Sequence, residues 1–130
     1  LHNSIWKRYD SGDEDVINGL HKIRAAARKM SEGIQRDRRE LVVESLRDVC
    51  DGVDLMDPSL HAPFRSIIDP LVESKSVIAW KALGAGAGGT VGLLCSPISR
   101  KSVIENLEKH GWEIIDWDYD NRGMRIISDE

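Results

Sequence analysis

An α+β domain is predicted by three features of the sequence. Apolar residues recur at three- and four-residue spacing through the first half. After Glu73 the pattern shifts to β-branched and aromatic runs separated by glycine and proline. Hydrophobic residues make up 41% and charged residues 31% of the 130-residue chain, a balance that fills a packed core and excludes disordered or collagen-like chains. That length is one domain, residues 1–130, with no internal repeat and no flexible linker. The expected architecture is a four-stranded antiparallel sheet with helices packed on one face, preceded by helical segments.

The elements follow in order. The chain opens as if already inside a helix, and Leu1 in place of methionine makes a processed chain or a piece of a longer protein the expectation. Asp13 caps a long helix whose stripe is Val16, Ile17, Leu20, Ile23, Ala27, Met30 and Ile34. A second helix is expected from about Asp37 to Val49, burying Leu41, Val42, Leu46 and Val49. Asp57-Pro58-Ser59 starts a third, because proline suits a first turn, and it buries Leu60, Phe64, Ile67, Ile68, Leu71 and Val72. Pro70 bends or shortens that helix. Ser76–Leu83 and Thr90–Cys95 read as strands around a glycine turn. Ser99 or Ser102 caps a helix carrying Val103, Ile104 and Leu107, which ends at His110-Gly111. Trp112–Tyr119 and Met124–Ser128 then form two strands joined at Asn121-Arg122-Gly123, with Ile115, Trp117 and Tyr119 on one face. Trp80 and Trp117 are both expected in the core.

Charge and cysteine content narrow the function. Net charge is −4 and the isoelectric point is near 5.6, so no global basic field draws nucleic acid or an anionic membrane. Cys50 and Cys95 are too few and too far apart for a disulfide scaffold or a zinc site. They read as reduced thiols, and with no secretory leader pattern at the start the expected location is the cytoplasm.

One segment carries chemical information: Ala79-Trp80-Lys81-Ala82-Leu83-Gly84-Ala85-Gly86-Ala87-Gly88-Gly89-Thr90-Val91-Gly92. Glycines this dense allow positive φ and close approach to the backbone, and successive free N–H groups form an anion-binding nest. A tight hairpin turn is the simpler alternative, but a hairpin turns on two residues and leaves the surplus glycine unexplained. Gly84, Gly86 and Gly89 match a dinucleotide fingerprint in spacing, yet a β-branched run follows where that fingerprint opens a helix. A P-loop needs lysine after its last glycine, and here Thr90 follows Gly89. The run is also too short to cross a membrane.

Strand, glycine turn, strand resembles the third motif of the GHMP family of small-molecule kinases, named after galactokinase, homoserine kinase, mevalonate kinase and phosphomevalonate kinase. Lys81, Gly84, Ala85, Gly86, Gly88 and Gly89 stand in that motif's places. Ala82 replaces leucine, Leu83 the usual threonine or serine, and Ala87 one glycine, which puts a methyl group inside the turn. Leu83 is similar to the branch acting on heptose phosphates, D-glycero-D-manno-heptose 7-phosphate kinase. The ending Ile115–Arg125 resembles that branch's aromatic-alternating strand and Gly-x-Arg close, and His2-Asn3 with Ser11-Gly12-Asp13 is similar in a looser way.

The resemblance implies a ferredoxin-like C-terminal domain whose glycine turn faces a cleft against an N-terminal kinase domain, on the same or a separate chain. Gly84, Ala85, Gly86, Ala87, Gly88 and Gly89 would line the substrate or phosphate cleft. ATP and Mg2+ would serve the full-length enzyme, with neither bound by this domain alone, and the substrate would be a sugar or sugar phosphate. The family's ATP-binding loop, proline followed by a Gly-x-Gly-Ser-Ser stretch, is missing from this sequence, and no residue here is a convincing base. Catalytic residues are therefore expected elsewhere. The other reading is a stand-alone, non-catalytic ferredoxin-like ligand-binding or regulatory module, with a homodimer as its candidate assembly, and fold alone does not separate the two. An apolar face left open for a missing partner would favour the kinase half.

The remaining features read plainly. Asp116, Asp118 and Asp120 alternate as the wet face of an edge strand does, and no metal site is assigned to them. Lys22, Arg24, Arg28, Lys29, Arg36, Arg38 and Arg39 interleave with Glu32, Asp37 and Glu40 as a solvated helix surface. His21, His61 and His110 show no ligand spacing. His2 stands out because the resemblance places its segment near the cleft.

Overall fold

The structure is a computed structural model that describes residues 2–127. Its elements are α1 (His2–Asp10), α2 (Glu14–Gln35), α3 (Arg39–Met56), a 3-10 turn (Pro58–Leu60), α4 (Ala62–Glu73), β1 (Val77–Leu83), β2 (Thr90–Cys95) and α5 (Pro97–Lys109). The α+β class holds: among the described residues five helices accompany a two-stranded antiparallel hairpin.

Local chemistry sets most boundaries. Asp13 caps α2 by accepting from the N–H groups of Asp15 and Val16, while Arg8 Nε donates to its carboxylate at 2.9 Å. Those hydrogen bonds, Arg8 first, hold the Asp13 carboxyl below its ordinary value. α2 ends in a Schellman turn: Arg38 N–H reaches Gly33 O at 2.8 Å and Asp37 takes a φ of 50°. Asp37 therefore belongs to the turn, and the second long helix starts at Arg39 and runs on past Val49 to Met56. The short turn makes α2 and α3 an antiparallel pair, tied on its wet side by Lys29 Nζ to Asp48 at 2.6 Å. That contact lowers the Asp48 carboxyl's pKa.

The helix stripes are shifted from the expected ones. Val16 and Ala26 are buried together with Gly19 and Gly33, whereas Ala27 and Ile34 are exposed. Apolar spacing alone overlooks glycines that let two helices close up. Pro58 begins a 3-10 turn capped by Asp57, and α4 itself starts at Ala62. Leu60, Phe64, Ile68 and Leu71 are buried as expected, while Val72 is 37% exposed and Ile67 only half-buried. α4 continues through Pro70 to Glu73. α5 is capped by Ser96, not by Ser99 or Ser102, because Pro97 occupies its first turn and Ser99 N–H donates to Ser96 Oγ.

Two cores result. One gathers Cys50, Phe64, Ile68, Leu71, Val77, Trp80, Val103 and Leu107 between α3, α4, α5 and the hairpin, with Val91, Leu93, Cys95 and Trp112 packed against it. The other joins Ile5, Val16, Met56 and Leu60 where α1 and α2 meet the end of α3. In the hairpin Lys81 pairs with Gly92 and Leu83 with Thr90, and a bulge lies between Val77 and Ala79.

Among the described residues the sheet has two strands, β1 and β2, where four were expected. Residues 112–119 and 124–127 adopt no regular structure, and Ser128 lies outside the described residues. Trp117, expected in the core, is 73% exposed. Alternating side chains specify which face a strand would bury, but a strand also needs a neighbour for its backbone groups. None is in place for these residues.

Candidate functional site

β1 and β2 hold the glycine turn, residues 84–89, at the tip of the hairpin. Two contacts fix it from below. Ala87 N–H donates to Leu60 O at 2.7 Å, and His2 Nε2 donates to Ala85 O at 3.0 Å. Leu60 comes from the 3-10 turn after α3 and His2 from α1, so three distant parts of the chain meet here. Gly86, at φ 79°, lies so close to Leu60 that a Cβ would sit 3.1 Å from Leu60 Cβ. Ala87 accepts a left-handed φ of 59° despite its methyl group.

With Ala87 engaged, the N–H groups of Gly84, Ala85, Gly86, Gly88 and Gly89 have no acceptor among the described residues. That is a cluster of open donors, suited to oxygen atoms carrying negative charge. The two anchors, His2 and Leu60, also line an apolar cavity of about 130 Å³ with Trp6, Val16 and Met56 among its walls. It is smaller than the roughly 300 Å³ at which small-molecule sites begin. A sugar would need a further wall.

Next to Leu60 in the chain, His61 belongs to a polar cluster that residue spacing does not reveal. His61 is 1% exposed, and its Nδ1 sits 2.9 Å from Asp54 Oδ1. Arg65 donates to the other Asp54 oxygen, and its guanidinium lies 5.7 Å from the Trp80 ring centroid. The His61 ring packs 4.7 Å from Trp80. Cys50 Sγ donates to Trp80 O at 2.9 Å, and burial pushes that thiol's pKa up to about 12, which makes it inert. This cluster couples α3, α4 and β1 through His61, the residue that follows Leu60. The readable signal was Asp57-Pro58, a turn that brings Asp54 and His61 together.

Lys81 lies in β1 with its Nζ on Ala82 O at 2.9 Å, occupied within its own strand. Asp120 is bound by Arg122 N–H at 2.9 Å, and Asp118 by Tyr119 N–H. Among the described residues no three His, Cys, Asp or Glu side chains gather as metal ligands. Lys22, Lys29, Arg36 and Arg38 are ion-paired with Asp48, Asp51, Glu44, Glu32 and Glu40, as a solvated surface predicts. No described helix is long and apolar enough to cross a membrane. Compared with protein-family models, curated proteins and solved structures, the chain matches none.

Proposed function

We propose that this chain is the C-terminal half of an ATP-dependent sugar or sugar-phosphate kinase of the GHMP type, with the turn 84–89 shaping the phosphate cleft. The supporting observation is the turn itself: five backbone donors left open while Leu60 and His2 hold the loop rigid. Phosphoryl transfer depends on positioning and charge stabilisation, and a pre-set array of N–H groups provides both for phosphate oxygens. The phosphates of ATP or of a sugar phosphate fit such donors. Mg2+ would be held by the nucleotide phosphates and the N-terminal domain in this reading, and no step is assigned to it. The base and the nucleotide loop belong to the N-terminal domain in this reading, as does the second wall of the cleft. Exposed Trp6, Tyr9, Trp117 and Met124 support a part that meets a partner. The four-stranded ferredoxin-like sheet and a cytoplasmic location belong to the same proposal.

The test uses the protein recovered at its native mass, incubated with ATP and a panel of sugars and sugar phosphates while ADP release is followed. Phosphorylation of at least one is expected, with none from the 130-residue chain alone. Failure with the whole panel removes the kinase reading. Chemical-shift changes at the Gly84–Gly89 amides on adding inorganic phosphate, without any transfer, would then favour a non-catalytic binding module.

A further inference from the structure

We infer that the outer edge of β2 is a docking site for an extended polypeptide segment from outside residues 2–127, which pairs with β2 on one side and with residues 113–119 on the other. The hydrogen bonds of the sheet point there. Arg47 donates to Ile78 O through Nε and Nη2, at 3.3 and 3.0 Å, and Cys50 Sγ donates to Trp80 O. Helix α3 therefore closes the far edge of β1. Each residue of an antiparallel pair turns both backbone groups to one side. Trp80 faces away from β2, so its partner Leu93 faces away from β1, and Val91 opposite Ala82 does the same. Neither has a partner for these groups among the described residues.

That edge carries none of the usual protection. Thr90–Cys95 contains no charge and no proline, and Val91 and Leu93 already pack against the core. This is the character of an interior strand. Residues 113–119 show the opposite deficit. Ile115, Trp117 and Tyr119 alternate with Asp116 and Asp118, all exposed and unpaired with any strand. Their start is held beside the same core, where Trp112 N–H reaches Leu107 O at 3.0 Å and the ring meets Phe64 edge-on at 6.2 Å.

A segment tethered so near reaches an effective concentration on the order of millimolar and would take an edge that it fitted. It stays out. One inserted strand has two edges and satisfies both orphans at once, leaving the aspartate-bearing segment as a charged outer edge. The occupant is thus an extended stretch of about five or six residues, free of proline, with apolar side chains at every second position on the core side. Docking at this edge does not depend on whether the joined protein transfers phosphate.

Site-resolved hydrogen exchange tests it, on the 130-residue chain at two concentrations and on the protein recovered from its native source. Rapid exchange at Val91 and Leu93 is expected for the chain alone at both concentrations. Slowing by roughly a hundredfold or more is expected in the native-source protein, with residues 113–119 slowed as well. Leu93→Pro removes an outward N–H without touching the β1 ladder. It should leave Lys81 protection unchanged and abolish the added protection at 113–119. Protection in the chain alone would mean that its own segment takes the edge, and protection rising with concentration would mean a second copy does. Either result overturns the inference, as does rapid exchange in the native-source protein.

Discussion

Ala87 and Gly86 sit side by side in the turn with φ values of 59° and 79°, yet substitution should move stability in opposite directions. An alanine in the left-handed region costs about 1 kcal/mol, and Ala87→Gly relieves it while keeping the N–H bond to Leu60 O. Glycine's greater freedom in the unfolded chain offsets part of the gain, so a net stabilisation of about 0.5 kcal/mol is expected from urea midpoints. Gly86→Ala adds the same strain and drives a Cβ to within 3.1 Å of Leu60 Cβ and 3.3 Å of Leu60 O. It should destabilise by about 1–3 kcal/mol. A destabilised Ala87→Gly would show that the methyl group is packed, not tolerated. The need for positive φ was legible in the glycines themselves. The anchors were not, because Leu60 and His2 reach the turn through tertiary packing that no local spacing records.

At the scale of elements, the helix pair α2–α3 rests on Gly19 and Gly52. A Cβ on Gly19 would lie 2.5 Å from Gly52 O, and one on Gly52 would lie 2.8 Å from Gly19 O. The two backbones nearly touch. Gly52→Ala gains about 1 kcal/mol of helix propensity, but overpacking at a backbone contact costs more. Thermal and urea melts should show a net loss of about 1–3 kcal/mol. A neutral or stabilised variant would mean that the helices can separate without loss. Both helices were legible from apolar periodicity and from Asp13. Their shared face was misread by about one position, Ala27 for Ala26 and Ile34 for Gly33, since a search for apolar side chains passes over the glycines at the crossing. The hairpin was legible to the residue at Thr90–Cys95 because β-branched runs, glycine and Ser96-Pro97 all agree there.

The whole molecule divides into a packed body and a segment that contributes nothing to it. Both cores draw on residues from Ile5 to Trp112, while Met124, Ile126 and Ile127 are each more than four-fifths exposed. Alternation in 113–127 made two further strands legible as tendencies, but pairing is a property of neighbours, and α3 already occupies the one edge of β1. Ending the chain after Glu113 therefore removes exposed side chains, the Asp120 ion pairs and no core residue. Surface ion pairs of this kind contribute little. The shortened chain should melt within about 2 °C of the full one. Trypsin should cut first after Arg122 and Arg125, where irregular exposed backbone fits a protease, and leave the body intact. A fall of more than about 5 °C on truncation would correspond to roughly 1 kcal/mol of packing by the segment. Because apolar side chains held in water gain nothing by staying there, an unchanged melting point would mean that Trp117, Tyr119 and their neighbours have their use in an assembly larger than this chain.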